Sequence, residues 1–162
     1  MEGRHEANVA LYFHIPFCER NKCNYCMYDS KIIAKRSELD AYLDYIVEAI
    51  EYYAPVFREA EMSNLYIGGG TPSTLSRTQL GRFLGAVNRN FAFSGDSARN
   101  CEVSPSTVDE EKLRELRKNG INRISIGVQS LNRETMRLAK RRFVPYEDIT
   151  SLVECIKDLG FE

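Results

Sequence analysis

Three of the five cysteines in this 162-residue chain, Cys18, Cys23 and Cys26, are crowded into one short loop-like stretch. They follow directly on the apolar run Leu11-Tyr12-Phe13-His14-Ile15-Pro16-Phe17. A polar loop buries few side chains, so thiols gathered there read as ligands rather than packing. Thiolates are soft donors that suit zinc or an iron–sulfur cluster. Three of them leave one coordination position open. With His14 as a fourth donor the same residues read as a structural zinc site, and inert buried cysteines are the bland reading. A second set of residues has the chemistry to surround a ligand there. Gly68-Gly69-Gly70-Thr71-Pro72 allows close approach to the main chain, or is an ordinary tight turn. Glu102 can accept hydrogen bonds from ligand hydroxyls, or is a solvated carboxylate. Gln129 is a ligand donor or a satisfied amide, and Tyr25 a stacking surface or a packing aromatic. Cys101 and Cys155 lie in strand and helix patterns and read as small core residues.

These residues need a scaffold, and the hydrophobic pattern supplies one. Val9–Phe13, Leu65–Ile67, Asn100–Val103 and Arg123–Gly127 read as strands. Helical spacing appears at Leu39, Tyr42, Leu43, Ile46, Ile50 and Tyr53, with Ser37 and Asp40 as an approximate capping box and Pro55 as the stop. Ser76 and Gln79 form a second capping box, ahead of Leu80, Phe83, Leu84, Val87 and Phe91. Residues 92–99 read as a polar turn. Thr107 with Glu110 caps the next helix, which Gly120 ends. Asn132 opens another, and a last one carries Ile149, Leu152, Val153, Ile156 and Leu159 up to Gly160.

Strands alternating with amphipathic helices give an α/β fold with right-handed crossovers and a parallel sheet, (βα)n in character. In such sheets ligands gather at the carboxyl ends of the strands. Cys18, Cys23 and Cys26, Gly68 to Pro72, Glu102 and Gln129 all fall at such ends. Four βα units do not close an eight-stranded barrel. Either the sheet stays open or residues 9–162 are the N-terminal part of a longer barrel domain, a partial TIM barrel; the second is the expectation favoured, with residues 1–8 a flexible terminus.

Composition narrows the class. The apolar fraction is 43% and the net charge −1, enough for a core and without a global field for nucleic acid or an anionic membrane. The basic runs Lys35-Arg36 and Lys140-Arg141-Arg142 read as solvated faces. No stretch has the length of a spanning helix and no signal peptide precedes the first strand. Five unevenly spaced cysteines fit a reducing compartment. A cytoplasmic protein is expected.

Four ordered motifs carry a resemblance: Tyr12 to Cys18, Tyr66-Ile67-Gly68-Gly69-Gly70-Thr71-Pro72-Ser73, Cys101-Glu102-Val103-Ser104-Pro105, and Gly120 to Ser130. Together they resemble the radical S-adenosylmethionine (SAM) superfamily, and within it the oxygen-independent coproporphyrinogen III oxidase-like family, which includes heme chaperones and methyltransferases. The resemblance implies that Cys18, Cys23 and Cys26 hold a [4Fe-4S] cluster whose fourth iron is chelated by SAM. It implies reductive cleavage of SAM to a 5′-deoxyadenosyl radical. Gly69, Gly70 and Thr71 would then meet the SAM amino group, Glu102 and Gln129 its ribose, and Tyr25 its adenine, with Tyr12 and His14 flanking the cluster. It also implies a flavodoxin- or ferredoxin-type electron donor and a tetrapyrrole substrate or heme. The family spaces its cysteines by three residues and then two; here four residues, Glu19 to Lys22, separate the first pair. The oxidases carry a further cysteine after the third ligand, where this chain has Met27-Tyr28. A chaperone-like module that binds cluster or heme without radical turnover is the alternative implied.

Overall fold

The structure, a computed structural model, describes residues 9–162, so the expectation of a loose terminus over residues 1–8 lies outside the described residues. The elements follow in the order β1 (Val9–Ile15), β2 (Phe17–Cys18), β3 (Lys31–Ile32), α1 (Arg36–Tyr53), β4 (Glu61–Gly69), α2 (Arg77–Asn90), β5 (Ala92–Val103), α3 (Glu110–Lys118), β6 (Arg123–Ile126), α4 (Arg133–Leu138) and α5 (Tyr146–Asp158). Four strands form one parallel sheet in the order β1-β4-β5-β6, each crossing over through a helix to the strand beside it. This is the expected partial (βα)n barrel.

The sheet has two unlike faces because side chains alternate along a strand. Leu11, Phe13, Ile15, Leu65, Ile67, Cys101 and Val103 point to the helices and belong to one apolar core with Leu39, Leu43, Phe83, Leu84, Leu113, Leu116 and Ile156. Phe13 and Phe83 meet edge to face with centroids 5.1 Å apart. The opposite face carries Tyr12, His14, Asn64, Tyr66, Asn100, Glu102, Arg123 and Ser125. Tyr12 and Tyr66 are half exposed there. A parallel sheet is ordinarily covered on both faces by apolar residues. Here the second face is polar instead, and it leads up to the strand ends where the candidate ligands gather.

Several local expectations give way. Residues 92–99 are part of β5, not a turn. Ala92 and Phe93 pair with Glu61 and Met62, and pairing resumes at Asn64 with Ala98, so the polar residues between them bulge out of the ladder. The first helix begins at Arg36 with no side-chain cap from Lys35. Ser37 sits within its first turn, and Asp40 accepts instead from Gln79 Nε2 at 2.6 Å. Tyr53 closes that helix exposed rather than packed, and Pro55 follows in a 3-10 turn over Ala54–Phe57. Asp109, not Thr107, caps α3, accepting from Lys112 N at 2.8 Å. The Ser76–Gln79 capping box forms in full. So does the Asn132 cap, and Gly120 and Gly160 take left-handed conformations after their helices.

The core prediction is direct. Phe83 is fully buried between α2 and the sheet, and Phe83→Ala should cost about 3–5 kcal/mol, seen as a lower denaturation midpoint.

Candidate functional site

The site begins where β1 ends. Pro16 separates β1 from the short β2, which pairs in parallel with β3. Lys31 N donates to Pro16 O at 2.7 Å and Ile33 N to Cys18 O at 3.1 Å. These bonds close the cysteine loop into a neck that the residue pattern did not announce, since two-residue strands leave no periodicity. Under it, Tyr42 of α1 donates to His14 O at 2.6 Å and packs edge to face on Phe17.

The glycine turn after β4 passes beneath this neck. Gly70 N donates to Ile15 O at 2.9 Å. A Cβ on Gly70 would lie 2.6 Å from Phe17 O and 2.9 Å from Phe17 N, inside backbone that has no room to move. Gly69 has φ +115°, a conformation that side chains disfavour, and a Cβ there would meet Ile15 O at 2.9 Å. The glycines therefore let two main chains cross in contact, which an ordinary turn does not need.

At the carboxyl ends of the four strands lies one open cavity of about 820 Å³. It is lined by Cys18, Cys23, Cys26, Tyr25, Gly69, Gly70, Thr71, Glu102 and Gln129. Nine of the eleven residues singled out in the sequence meet there. Tyr12 and His14 do not line it. All three thiols are free and half-buried. Gln129 is exposed and has φ +70°, which turns the chain after β6 toward the cavity mouth.

Tyr12 and His14 instead brace the loop from the polar sheet face. His14 Nε2 lies 2.7 Å from Asp29 O and Nδ1 lies 3.0 Å from Tyr12 Oη. A carbonyl only accepts, so Nε2 carries the proton and donates; Nδ1 then receives the Tyr12 hydroxyl. Tyr12 stacks on Tyr66 with centroids 6.0 Å apart. Tyr66 Oη donates to Glu102 Oε1 at 2.7 Å, and that bond, ahead of burial, pushes the Tyr66 phenol up to about 12. Burial and the nearby Glu102 charge raise the Tyr12 phenol as well.

Behind the cavity a polar latch ties the turn after β4 to the turn after β5. Buried Ser73 shares a hydrogen bond with Thr107 at 2.6 Å and accepts from Ser104 N at 3.0 Å. Lys112 Nζ reaches back from α3 to donate to Ser73 O at 2.9 Å and Thr107 O at 2.6 Å. Burial lowers the Lys112 ammonium below its ordinary range.

Arg141 was not singled out by the sequence, where it belongs to a basic run that reads as a solvated face. Lys140 before it has φ +55°, which directs Arg141 inward. Its Nη2 donates to Gly127 O at 2.7 Å, and its Nη1 lies 3.4 Å from Tyr25 Oη and 3.9 Å from Cys23 Sγ. It bridges the end of β6 to the cysteine loop and puts a cation at the cavity wall. Burial and a bond with Cys23 raise the Tyr25 phenol, against the lowering effect of Arg141. Asn24 holds the same loop to the end of α4, its N to Ala139 O at 3.2 Å and its Nδ2 to Leu138 O at 2.8 Å.

Among the described residues no three His, Cys, Asp or Glu side chains converge closely enough to share one metal ion. Both ring nitrogens of His14 are already hydrogen-bonded. The structure therefore gives no support to His14 as the fourth donor of a zinc site. A cluster offers a separate iron to each thiolate, so thiols spread over one cavity wall fit it.

The profile of the Radical SAM superfamily matches residues 12–162. The chain belongs to the radical SAM superfamily. Members use a [4Fe-4S] cluster and SAM. The oxygen-independent coproporphyrinogen III oxidase of Salmonella typhimurium is 36% identical over 156 residues, 96% of this chain and 34% of that one. The heme chaperone HemW of Lactococcus lactis is 34% identical over 153 residues, 94% of this chain and 38% of its own. The solved structure of coproporphyrinogen III oxidase (HemN) from Escherichia coli, a radical SAM enzyme, superposes with a TM-score of 0.88 at 35% identity, covering 95% of this chain and 35% of that chain. The expected branch is thus the one in which the relatives lie. The chain spans roughly a third of the length of these relatives. No helix among the described residues is long and apolar enough to cross a membrane.

The crossing in this radical SAM chain is testable without any cofactor. Gly70→Ala should displace the Phe17–Cys18 backbone at a cost of about 1–3 kcal/mol. Cys18 should then react faster with a thiol reagent than in the parent chain, while buried Cys101 stays protected.

Proposed function

We propose that this chain is the cluster- and SAM-binding core of a radical SAM enzyme of the coproporphyrinogen oxidase-like branch. One observation supports the reading: three thiols, the glycine turn, Glu102 and Gln129 border a single cavity at the strand ends. In this reading Cys18, Cys23 and Cys26 are the cluster ligands. The bound cluster and SAM together supply one-electron reductive cleavage of the sulfonium. The protein's share is to bind, orient and exclude water.

Each remaining residue has a part in that work. Gly69 and Gly70 leave the main chain bare, and Thr71 stands beside them to meet an amino group. Thr71 Oγ1 now donates to Gly70 O at 2.7 Å, so its oxygen lone pairs remain free to accept. Arg141, fixed by Gly127 O, is a cation suited to a carboxylate. Glu102 accepts from ribose hydroxyls and Gln129 donates from the turn after the neighbouring strand β6. Tyr25, half exposed beside them, offers its ring to adenine.

The substrate we propose is a tetrapyrrole bearing carboxylates, or heme. Support comes from Arg20, Lys140 and Arg142, which border the same cavity and present positive charge at its rim. An external one-electron donor of the flavodoxin or ferredoxin type is the partner this chemistry requires. A second reading, cluster or heme binding without radical turnover, draws on the similarity to heme chaperones and on Met27-Tyr28, where the oxidases have a further cysteine.

Anaerobic reconstitution of the full-length protein containing this chain should give about four iron and four sulfide per chain, with a reduced EPR signal that SAM perturbs. Cys26→Ala should abolish that signal; its survival would overturn the ligand assignment. Methionine and 5′-deoxyadenosine formed under reducing conditions separate the enzyme from the binding module.

A further inference from the structure

The pair Tyr66 and Glu102 stands apart from the cavity's other contacts. Glu102 reaches the cavity from β5, yet one of its oxygens is already occupied by Tyr66 Oη at 2.7 Å. Tyr66 lies on the neighbouring strand and does not line that cavity. Its own ring is held by the stack on Tyr12. Gly68 separates the two side chains on the polar face. A Cβ at Gly68 would lie 2.9 Å from the Tyr66 ring and 3.1 Å from Glu102 Oε2. The hydrogen bond therefore exists because position 68 carries no side chain.

We infer that Tyr66 is a positioning residue that holds one Glu102 oxygen so that the other, Oε2, faces the ligand's vicinal hydroxyls. A carboxylate on an otherwise free side chain samples several rotamers, and binding a diol must then fix it. Tyr66 fixes it beforehand, so less ordering is left for the ligand to impose. The bond is charge-assisted, and so stronger than one between neutral groups. The high Tyr66 phenol is consistent with that bond. This inference rests on the reading of Glu102 as the group that meets ribose, and it assigns a role to a tyrosine that touches no ligand.

The test uses the full-length reconstituted protein and three ligands whose binding is measured: SAM, adenosine and 2′,3′-dideoxyadenosine. Tyr66→Phe should fold normally, with an unchanged cluster spectrum, and weaken SAM and adenosine roughly three- to tenfold. It should leave 2′,3′-dideoxyadenosine unaffected. In a Glu102→Gln background the Tyr66→Phe effect should vanish, because the two residues act through one contact. Gly68→Ala, which crowds the same pair, should reproduce the adenosine loss. Turnover should change through KM for SAM rather than kcat. If Glu102→Gln weakens adenosine but Tyr66→Phe does not, the positioning role is wrong. If Glu102→Gln itself leaves adenosine binding intact, the ribose reading is the part that fails. Equal losses for adenosine and its dideoxy analogue would assign Tyr66 a merely structural role and overturn the inference.

Discussion

The site depends on one close crossing of main chains, Gly70 beneath Phe17. The bond from Gly70 N to Ile15 O and the contact with the Phe17 backbone bring the end of β4 against the start of the cysteine loop. No side chain can mediate that approach, because any Cβ would lie inside Phe17. Everything downstream takes its position from it. β2 can pair with β3 only if Phe17 stays in place, and that pairing closes the loop around Cys23 and Cys26. The bare main chain of Gly69 and Gly70 then faces the thiols across the cavity they share.

A second constraint is the division of the sheet into two faces. The helices cover one face with Phe13, Ile67, Cys101 and Val103, and that burial stabilises the fold. The other face is free to be polar, and tyrosine, histidine, asparagine and glutamate occupy it in register across β1, β4 and β5. Parallel neighbours align residues in rows, so Tyr12 pairs with Tyr66, and Tyr66 with Asn100, one step before Glu102. A network from Glu102 to His14 follows from that register, and the His14 contact with Asp29 O carries it into the loop. It links the acid at the cavity to the far end of the cysteine loop through one stack and three hydrogen bonds.

Much of this was legible in the sequence. Thiols in a polar loop, a glycine run after a strand and an acid at a strand's end all follow from local pattern, and the parallel sheet places them together. Legibility failed where the cause was non-local. Ser37 and Asp40 have the look of a cap, but Asp40 is claimed by Gln79 from the next helix. Residues 92–99 have the composition of a turn, yet Ala92 and Phe93 find partners on β4 and the polar residues become a bulge. Arg141 looks solvated beside Lys140 and Arg142. Only the left-handed turn at Lys140 and the carbonyl of Gly127, fourteen residues away in sequence, turn it inward. Tyr66 reads as a strand residue until register sets its hydroxyl beside Glu102.

The same geometry explains how the cysteine loop accommodates four residues between Cys18 and Cys23 where its relatives' pattern has three. The two halves of the loop are held differently. Cys23 to Cys26 is pinned: Cys26 N bonds Cys23 O at 3.0 Å, Asn24 is tied twice to the end of α4, and Arg141 reaches both Cys23 and Tyr25. Residues 19–22 are all exposed, and among the described residues none of them takes part in a hydrogen bond. An added residue in that arm lengthens a solvated arc whose two ends are fixed elsewhere. The entropy of one more residue in such an arc is a few tenths of a kcal/mol, roughly. An insertion between Cys23 and Cys26 would instead break the turn and the ties to α4. The departure in spacing therefore sits in the one arm of the loop that can absorb it, and the two-residue spacing that the structure enforces is retained.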